Sequence, residues 1–397
     1  MEYIKVFRNH SDYEDFVESG EMLRPNVSHC VNENEVHYNP HTFADEYFTT
    51  VARENGTISF NIWKSMGTDM ITSISYSTDN GETWITTNNT DNKTTNLVID
   101  VNVNNGDKVM WKGDAQQLGY INEDEGDVVG SFFSSDCEFD TQGNVMSLLY
   151  GDNFKGQTDL TEKDGAFCAL FFDSNEEKTC GIVNAKDLSL PATTLANGCY
   201  YNMFYGCTSL TAVPELPATT LVNGCYSNMF NGCTSLAIAP MLPATILANG
   251  CYESMFFDCT NLTTAPELPA TTLADSCYSY MFYGCTSLTT APSILPATTL
   301  ADSCYNEMFG GCSSLTTAPD LPATTLASKC YGYMFNGCSN LNYIKAMFTT
   351  TPSDTYTSNW VYRVASTGTF VKNSAATWNV TGVHGIPTGW TVQKATA

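Results

Sequence analysis

From Leu190 onward one unit is repeated six times: "LPATTLANGCYYNMFYGCTSLTAVPE" runs straight into "LPATTLVNGCYSNMFNGCTSLAIAP", and four further copies follow. The first cysteine of the unit falls at Cys199, Cys225, Cys251, Cys277, Cys304 and Cys330, and the second eight residues later at Cys207, Cys233, Cys259, Cys285, Cys312 and Cys338. The period is 26 residues, with one unit of 27 from Cys277 to Cys304. A period between about 20 and 50 residues marks a solenoid, in which each unit is one supersecondary element stacked on its neighbours. Ordering a unit costs roughly 1–2 kcal/mol per residue in backbone entropy, whereas burying its few apolar side chains returns only roughly 1.5–3 kcal/mol each. No copy folds alone, so the copies stack and the two ends need caps.

Within the first unit Ala196, Cys199, Tyr200, Met203, Phe204 and Cys207 fall on one face of an α-helix. Gly206 sits where a helix end takes a left-handed residue. The remainder, "TSLTAVPELPATTL", carries two prolines, which excludes a long ladder strand; a short strand from Leu210 to Val213 is expected. Cysteines stacked in columns about 4.8 Å apart come within disulfide reach. Both cysteines lie on the buried face, however, where free Cys packs as a small hydrophobe, and C-x7-C without histidine is no zinc arrangement. The N-terminal cap is expected around "CGIVNAKDLSLPATTL", with "CALFFDSNEEKT" ahead of it charged and irregular, and the C-terminal cap from Tyr343 on.

Positions that differ among the copies are those the helix leaves to the surface. They give a candidate contact stripe of Tyr201, Asn202, Tyr205, Asn228, Asn231, Phe257, Tyr280, Tyr283, Tyr333 and Asn336, on which large rings stand beside amides. Tyr and Asn together suit stacking and hydrogen bonding to a sugar or a protein.

Ahead of the repeats the character changes. Residues 1–190 hold 33 of the 42 acidic and 12 of the 17 basic residues, a net charge of −21, against −4 for the rest. Such a front half repels nucleic acid and anionic membranes. Period-2 runs, "GTISFNIW", "ITSISYST", "NLVIDVNV" and "DKVMWKG", read as a small antiparallel β-sandwich. Ser77, Asp79, Gly81, Thr83 and Trp84 complete the S-x-D-x-G-x-T-W Asp-box of sialidases, which is a folding motif: a hairpin turn whose Trp is expected to plug the core. A sialidase needs an arginine cluster, and this chain has only Arg8, Arg24, Arg53 and Arg363. The acidic run from Asn122 to Asp127 lacks the alternation of a calcium loop and reads as a solvated turn. No P-loop, nucleophile elbow or dinucleotide fingerprint occurs. The expectation is a protein without catalytic residues, cofactor or metal.

The opening "MEYIKVFRNHSDYEDF" has no apolar core of a secretory signal, and no stretch of about 18 apolar residues exists. It reads as a strand, Tyr3 to Phe7, and a helix from Ser11 to Gly20 opened by a Ser11 and Glu14 capping box. "HCVNENEVHYNPH" offers His29, Cys30, His37 and His41 as metal ligands, but its plainer reading is a hairpin turning through "NENE".

The pattern "CYxxMFxGCTSLTTAPELPATTL" resembles BspA-type leucine-rich repeats. That resemblance implies a right-handed solenoid, helix plus short strand per repeat, of the kind found on bacterial surfaces and used for adhesion. "LRPNVSHCVNENEVHYNP" looks like a leader of structural proteins from phages of gut Bacteroidales, including crAss-like phages. "ISYSTDNGETW", "GNVMSLLYGDNFKGQTDL" and "GTFVKNSAATWNVTGVHGIPTGWTV" resemble modules flanking such repeats in phage and Bacteroidales surface proteins. The fold expected is multidomain α+β: an N-terminal attachment segment (1–48), an immunoglobulin-like antiparallel β-sandwich (49–138), an N-terminal cap (139–189), a leucine-rich-repeat solenoid (190–344) and a C-terminal β cap (345–397). The function implied is a virion surface protein, made in the host cytoplasm. Its first two segments would hold other virion proteins in a homo-oligomer or symmetric assembly, and its solenoid would meet host glycans or proteins. The alternative is a Bacteroidales cell-surface adhesin. Neither nucleic acid binding nor membrane insertion is expected.

Overall fold

The computed structural model describes residues 6–7, 28–32, 35–39, 43–62, 71–88, 97–121, 128–172 and 180–395. Near the N-terminus β1 (Val6–Phe7) and β2 (Ser28–Asn32) both pair antiparallel with β3 (Glu35–Asn39). Cys30 stands opposite His37 and Asn32 opposite Glu35, so the hairpin expected around "NENE" forms. The helix expected from Ser11 to Gly20, the side chains of His29, Cys30, His37 and His41, and the acidic run at 122–127 lie outside the described residues.

The alternating segments make two sheets. One has the order β12 (Phe132–Ser135), β5 (Gly56–Ile62), β8 (Leu97–Val103). The other runs β14 (Ile182–Ser189), β13 (Phe139–Asn144), β4 (Phe48–Ala52), β9 (Lys108–Ala115), β6 (Ile71–Ser77), β7 (Ile85–Asn88). A separate hairpin pairs β10 (Gly119–Ile121) with β11 (Val128–Gly130). In β8 the period of two is direct: Ile99, Val101 and Val103 are buried while Val98, Asp100 and Asn102 are exposed. The inner faces meet in an aromatic layer, with Phe60 and Phe133 of the smaller sheet 6.2 and 5.1 Å from Trp111 of the larger one. Every neighbour in the larger sheet is antiparallel except β13 and β14. From β14 the sheet passes into the repeats, for Asn184 bridges to Ala212 and the Ala185 N–H donates to the Ala212 carbonyl.

The expected helix of each unit is not there. In its place runs a row of overlapping β-turns in which N–H groups point alternately two ways. Cys199, Tyr201, Met203, Tyr205 and Cys207 donate to the carbonyl three residues back; Gly198, Tyr200, Asn202, Phe204 and Gly206 donate to Asn223, Cys225, Ser227, Met229 and Asn231 of the next unit. Every fourth residue is left-handed: Gly198, Asn202 and Gly206 have φ of 58°, 55° and 69°. Each such residue turns the chain back before a second helical bond can close, so the apolar pairs recur every 4 residues and half the N–H groups are free to join adjacent units. The units therefore stack in register.

Inside the stack each residue type forms a column. Tyr200, Tyr226, Tyr252, Tyr278, Tyr305 and Tyr331 lie ring on ring at 5.6–5.9 Å, and Phe204, Phe230, Phe256, Phe282, Phe309 and Phe335 at 5.4–5.8 Å. All described cysteines are free and buried, as the apolar face requires. Burial pushes the Cys199 thiol up to about 12, so it stays protonated. In the second column the thiol of Cys259 donates to the Phe230 carbonyl at 3.1 Å, and Cys233, Cys285, Cys312 and Cys338 repeat the bond. The short strand expected at Leu210 to Val213 shrinks to single bridges, Asn184 to Ala212, Ile238 to Thr264, Thr264 to Thr290, because the flanking prolines interrupt the ladder.

Both ends extend the stack further than the repeat pattern shows. Gly165, Phe167, Ala169 and Phe171 donate to Asn197, Cys199, Tyr201 and Met203, which makes the supposedly irregular segment before Phe172 a coil of its own. At the other end β15 (Tyr343–Ala346), β16 (Thr369–Lys372) and β17 (Thr391–Lys394) form a parallel sheet. Trp360 accepts the Phe335 N–H below that ring column and its indole donates to the Gly385 carbonyl at 2.9 Å. Buried Lys372 donates to the Trp378 carbonyl at 2.6 Å and closes this end.

The 27-residue unit keeps this register. Its extra residue falls at Ser293 and Ile294, an exposed turn, while Phe282 and Phe309 across the insertion stay 5.5 Å apart.

The left-handed positions carry a testable cost. Lys329 holds φ 51° where earlier coils have Gly198, Gly224 and Gly250. A non-glycine residue there costs roughly 1–2 kcal/mol, offset by roughly 0.5–1 kcal/mol for the freedom of glycine in the unfolded chain. Lys329→Gly is expected to stabilise the fold by about 0.5–1 kcal/mol, read as a raised urea midpoint.

Candidate contact surface

The turn rows put the candidate stripe on one edge of the stack, in three neighbouring columns. The first runs Tyr201, Ser227, Glu253, Ser279, Asn306 and Gly332; the second Asn202, Asn228, Ser254, Tyr280, Glu307 and Tyr333; the third Tyr205, Asn231, Phe257, Tyr283, Gly310 and Asn336. The second column is the left-handed one, so its residues are not free of the fold: Asn202, Asn228, Tyr280 and Tyr333 have φ of 52–57°. Nor is the whole stripe outward. Asn202, Ser227 and Ser279 are buried although they lie outside the apolar pairs; the Ser227 and Ser279 hydroxyls donate to the carbonyls of Glu253 and Asn306 in the next coil. Tyr201, Tyr205, Asn228, Asn231, Phe257, Tyr280, Tyr283, Tyr333 and Asn336 are half-buried, each side chain leaning on its neighbours.

Those neighbours are specific. Phe257 and Tyr283 stack at 4.8 Å, and Tyr283 lies 6.1 Å from Tyr280. The Tyr280 hydroxyl donates to Glu307 Oε1 at 3.0 Å; burial first and that bond second push the phenol up to about 12. Asn231 Nδ2 donates to Asn228 Oδ1 at 2.9 Å, and Asn228 Nδ2 contacts the Tyr201 hydroxyl.

Beside the first column opens a groove of about 600 Å³, which the sequence did not disclose. Along it, and on past Asp275 beyond its lining, runs a ladder of side-chain oxygens one residue before the first left-handed position. Asp164 Oδ1 accepts the Asn197 N–H at 3.0 Å, Asn223 that of Asn249, Asn249 that of Asp275, Asp275 that of Asp302 and Asp302 that of Ser328. Tyr201, Ser227 and Glu253 belong to its lining, with Gln117 and Tyr120 from the segment that leads into the β10–β11 hairpin. The signal available in the sequence was the recurring pair Asn-Gly or Asp-Ser at Asn197, Asn223, Asn249, Asp275 and Asp302.

Residues 181–316 and, overlapping them, 251–358 match the family model described as a BspA type leucine rich repeat region, in six copies. The stack is a BspA-type leucine-rich-repeat region. No curated protein and no solved structure matches the chain. The match begins ahead of Leu190 and passes Ile344, so it takes in β14 at one end and β15 at the other. Among the described residues no helix is long and apolar enough to cross a membrane, and no cluster of His, Cys, Asp and Glu could hold a metal ion.

Outside the BspA-type region the Asp-box makes its turn as expected. Asp79 accepts the Thr83 N–H at 2.9 Å, the Thr83 hydroxyl at 2.5 Å and the Ser77 hydroxyl at 2.7 Å, which hold its carboxyl down at about 2. Trp84, however, does not plug the core. It is half-buried at the surface, 5.1 Å from the Tyr47 ring, with Lys112 Nζ 4.2 Å above it and Asp152 holding that ammonium at 2.7 Å; the core place is filled by Trp111. Because folding depresses the Asp79 carboxyl, its contribution is present above about pH 4 and disappears as pH falls towards 2. Asp79→Asn is expected to flatten that part of the curve of urea midpoint against pH.

Proposed function

We propose that this chain is a non-enzymatic adhesion protein that meets its partner along the turn edge of the BspA-type region. One observation carries the reading: the edge sets rings and amides in register over six coils at positions where the fold accepts much smaller residues. Ser254 stands where Tyr280 does, and Gly310 where Tyr283 does, so the large rings are not needed for folding. Large half-exposed rings on a polar edge are what a contact surface uses.

The finer reading is a surface protein of a phage virion. The leader and flanking modules support it by resemblance, with residues 1–48 and the sandwich holding neighbouring virion proteins in a homo-oligomer or symmetric assembly. BspA-type repeats, of the kind found on bacterial surfaces, favour the second reading, a cell-surface adhesin of Bacteroidales. Mass spectrometry of purified particles and of washed host cells separates the two by where the chain is recovered.

For the edge itself, replacing Tyr280 and Tyr283 together with Ser is expected to leave the cooperative melt in place and lower adsorption to host cells about ten-fold or more, the loss of one strong aromatic anchor. Unchanged adsorption and unchanged particle assembly would remove the edge from the contact.

A further inference from the structure

The segment that joins one turn row to the next is polar on its outside in most coils and apolar in one. Met241 at 78%, Ile238 at 77% and Ile246 at 58% are the three most exposed large apolar side chains among the described residues, and all belong to the same coil. Ile238 and Met241 are three residues apart and Met241 and Ile246 five, so chain reach alone keeps these pairs within about 11 and 18 Å. A single exposed apolar residue is ordinary; three large ones on one coil make a patch of the kind that marks a contact site. The fold does not ask for them. Ile246 bridges to Thr220 and Thr272 of the adjacent coils and Ile238 to Thr264, so exposed threonine serves at both places, and Met241 stands between Glu215 and Glu267.

The column of Met241 reads Glu215, Met241, Glu267, Ile294, Asp320, acid and apolar side chains in turn. Its last acid shows what such a carboxylate takes when the chain supplies it: Asp320 Oδ2 accepts from the Lys345 ammonium. No cation of the stack serves the other two. From Asp187 to Ser328 the chain has no Lys, Arg or His. Exposed Glu267 accepts only the Ser293 N–H and hydroxyl, and exposed Glu215 forms no ion pair among the described residues. We propose that this face docks a polypeptide segment in which apolar side chains are flanked by lysine or arginine. Its apolar side chains cover Ile238, Met241 and Ile246, and its cations meet Glu215 and Glu267 as Lys345 meets Asp320. The face is separate from the turn edge and does not depend on the contact reading above. A second copy laid face to face brings only carboxylates of its own, and an anionic membrane is repelled by the same charges. A net charge of −25 speeds the encounter with a basic partner instead.

The test pans a displayed library of random peptides, each about a dozen residues long, against the full chain, with depletion on a variant carrying Ile238→Thr, Met241→Ser and Ile246→Thr. The two threonines copy Thr264 and Thr272, and the serine leaves the charge unchanged, so an unaltered melt is expected. The recovered peptides should share apolar residues flanked by Lys or Arg. A synthetic peptide of that consensus is expected to bind the chain about ten-fold or more tightly than the triple variant by fluorescence anisotropy. Glu215→Gln together with Glu267→Gln, at exposed positions, should weaken it about three-fold or more at low salt and flatten its salt dependence. The Tyr280 and Tyr283 replacements should leave it unchanged. Recovery of no peptide, or of a set without basic residues, overturns the proposal, and so does binding that the triple variant retains. A dimer of the chain in sedimentation that the triple variant loses assigns the face to a second copy; binding to phosphatidylserine vesicles lost in that variant assigns it to a membrane. Either result overturns the proposal as well.

Discussion

Replacing Phe256 with Ala is expected to remove about 3–5 kcal/mol of stability, the cost of emptying a buried aromatic site. Phe256 is fully buried in the middle of its column, 5.6 Å from Phe230 on one side and from Phe282 on the other. Its ring is thus shared by two interfaces, and the cavity cannot close unless both neighbours shift along a column whose backbone is fixed by hydrogen bonds to the coils on either side. Stability in a stack is close to a sum of units and nearest-neighbour interfaces, so a mid-column loss divides the repeats into two blocks. Denaturant melts followed by tyrosine fluorescence should show an earlier transition that separates from the rest. A single transition at the original midpoint would mean that the column carries no coupling.

The second large effect lies where the sandwich meets the stack. Gly143 has φ 84°, and a Cβ there would overlap the Tyr47 carbonyl oxygen and sit 2.7 Å from the carbonyl carbon. Backbone atoms cannot rotate away as a side chain can. Gly143 lies in β13 opposite Leu188 of β14, next to the pairing of Gln142 with Thr49 in β4, so relief requires pulling apart the central strands of the larger sheet. Gly143→Ala is therefore expected to cost more than about 3 kcal/mol, above the roughly 1–3 kcal/mol of an unfavourable backbone alone, and to leave little folded protein by circular dichroism. Gly106→Ala is the control. Its φ of 88° is equally left-handed, but a Cβ there meets nothing within 4 Å, and its effect should stay near about 1 kcal/mol. Equal effects would show that the close approach to Tyr47 is not what requires glycine.

How far the sequence could be read depends on which periodicities it separates. Strands with a period of two stood out, and β5, β6, β8 and β9 formed where alternation placed them. The turn rows did not stand out, because over the nine residues from Cys199 to Cys207 a helix and a four-residue turn period bury the same five positions. The distinguishing mark was conformational: Gly198, Asn202 and Gly206 at intervals of four are poor helix-interior residues and good left-handed ones. The coil at Gly165 to Phe172 escaped for a different reason. It keeps Gly165, Phe167 and Phe171 at the spacing of Gly198, Tyr200 and Phe204 but has Ala166 in place of the first cysteine, and cysteine was the feature that made the other copies visible. The stripe was legible as variation among copies, but variation does not report burial, and Asn202 is inside. The groove was legible least, since Gln117 and Tyr120 reach it from a segment some 80 residues away in sequence from Asn197.

The longer unit has a practical meaning. At Ser293 and Ile294 the chain already carries a residue that its sister copies lack, and the aromatic columns pass by undisturbed. Ser293 simply reaches over to Glu267 of the preceding coil, and Ile294 bridges to Asp320 of the next. At this bend one residue has thus been added without re-registering the coils around it, which makes it the place in the stack to insert an epitope at the bench.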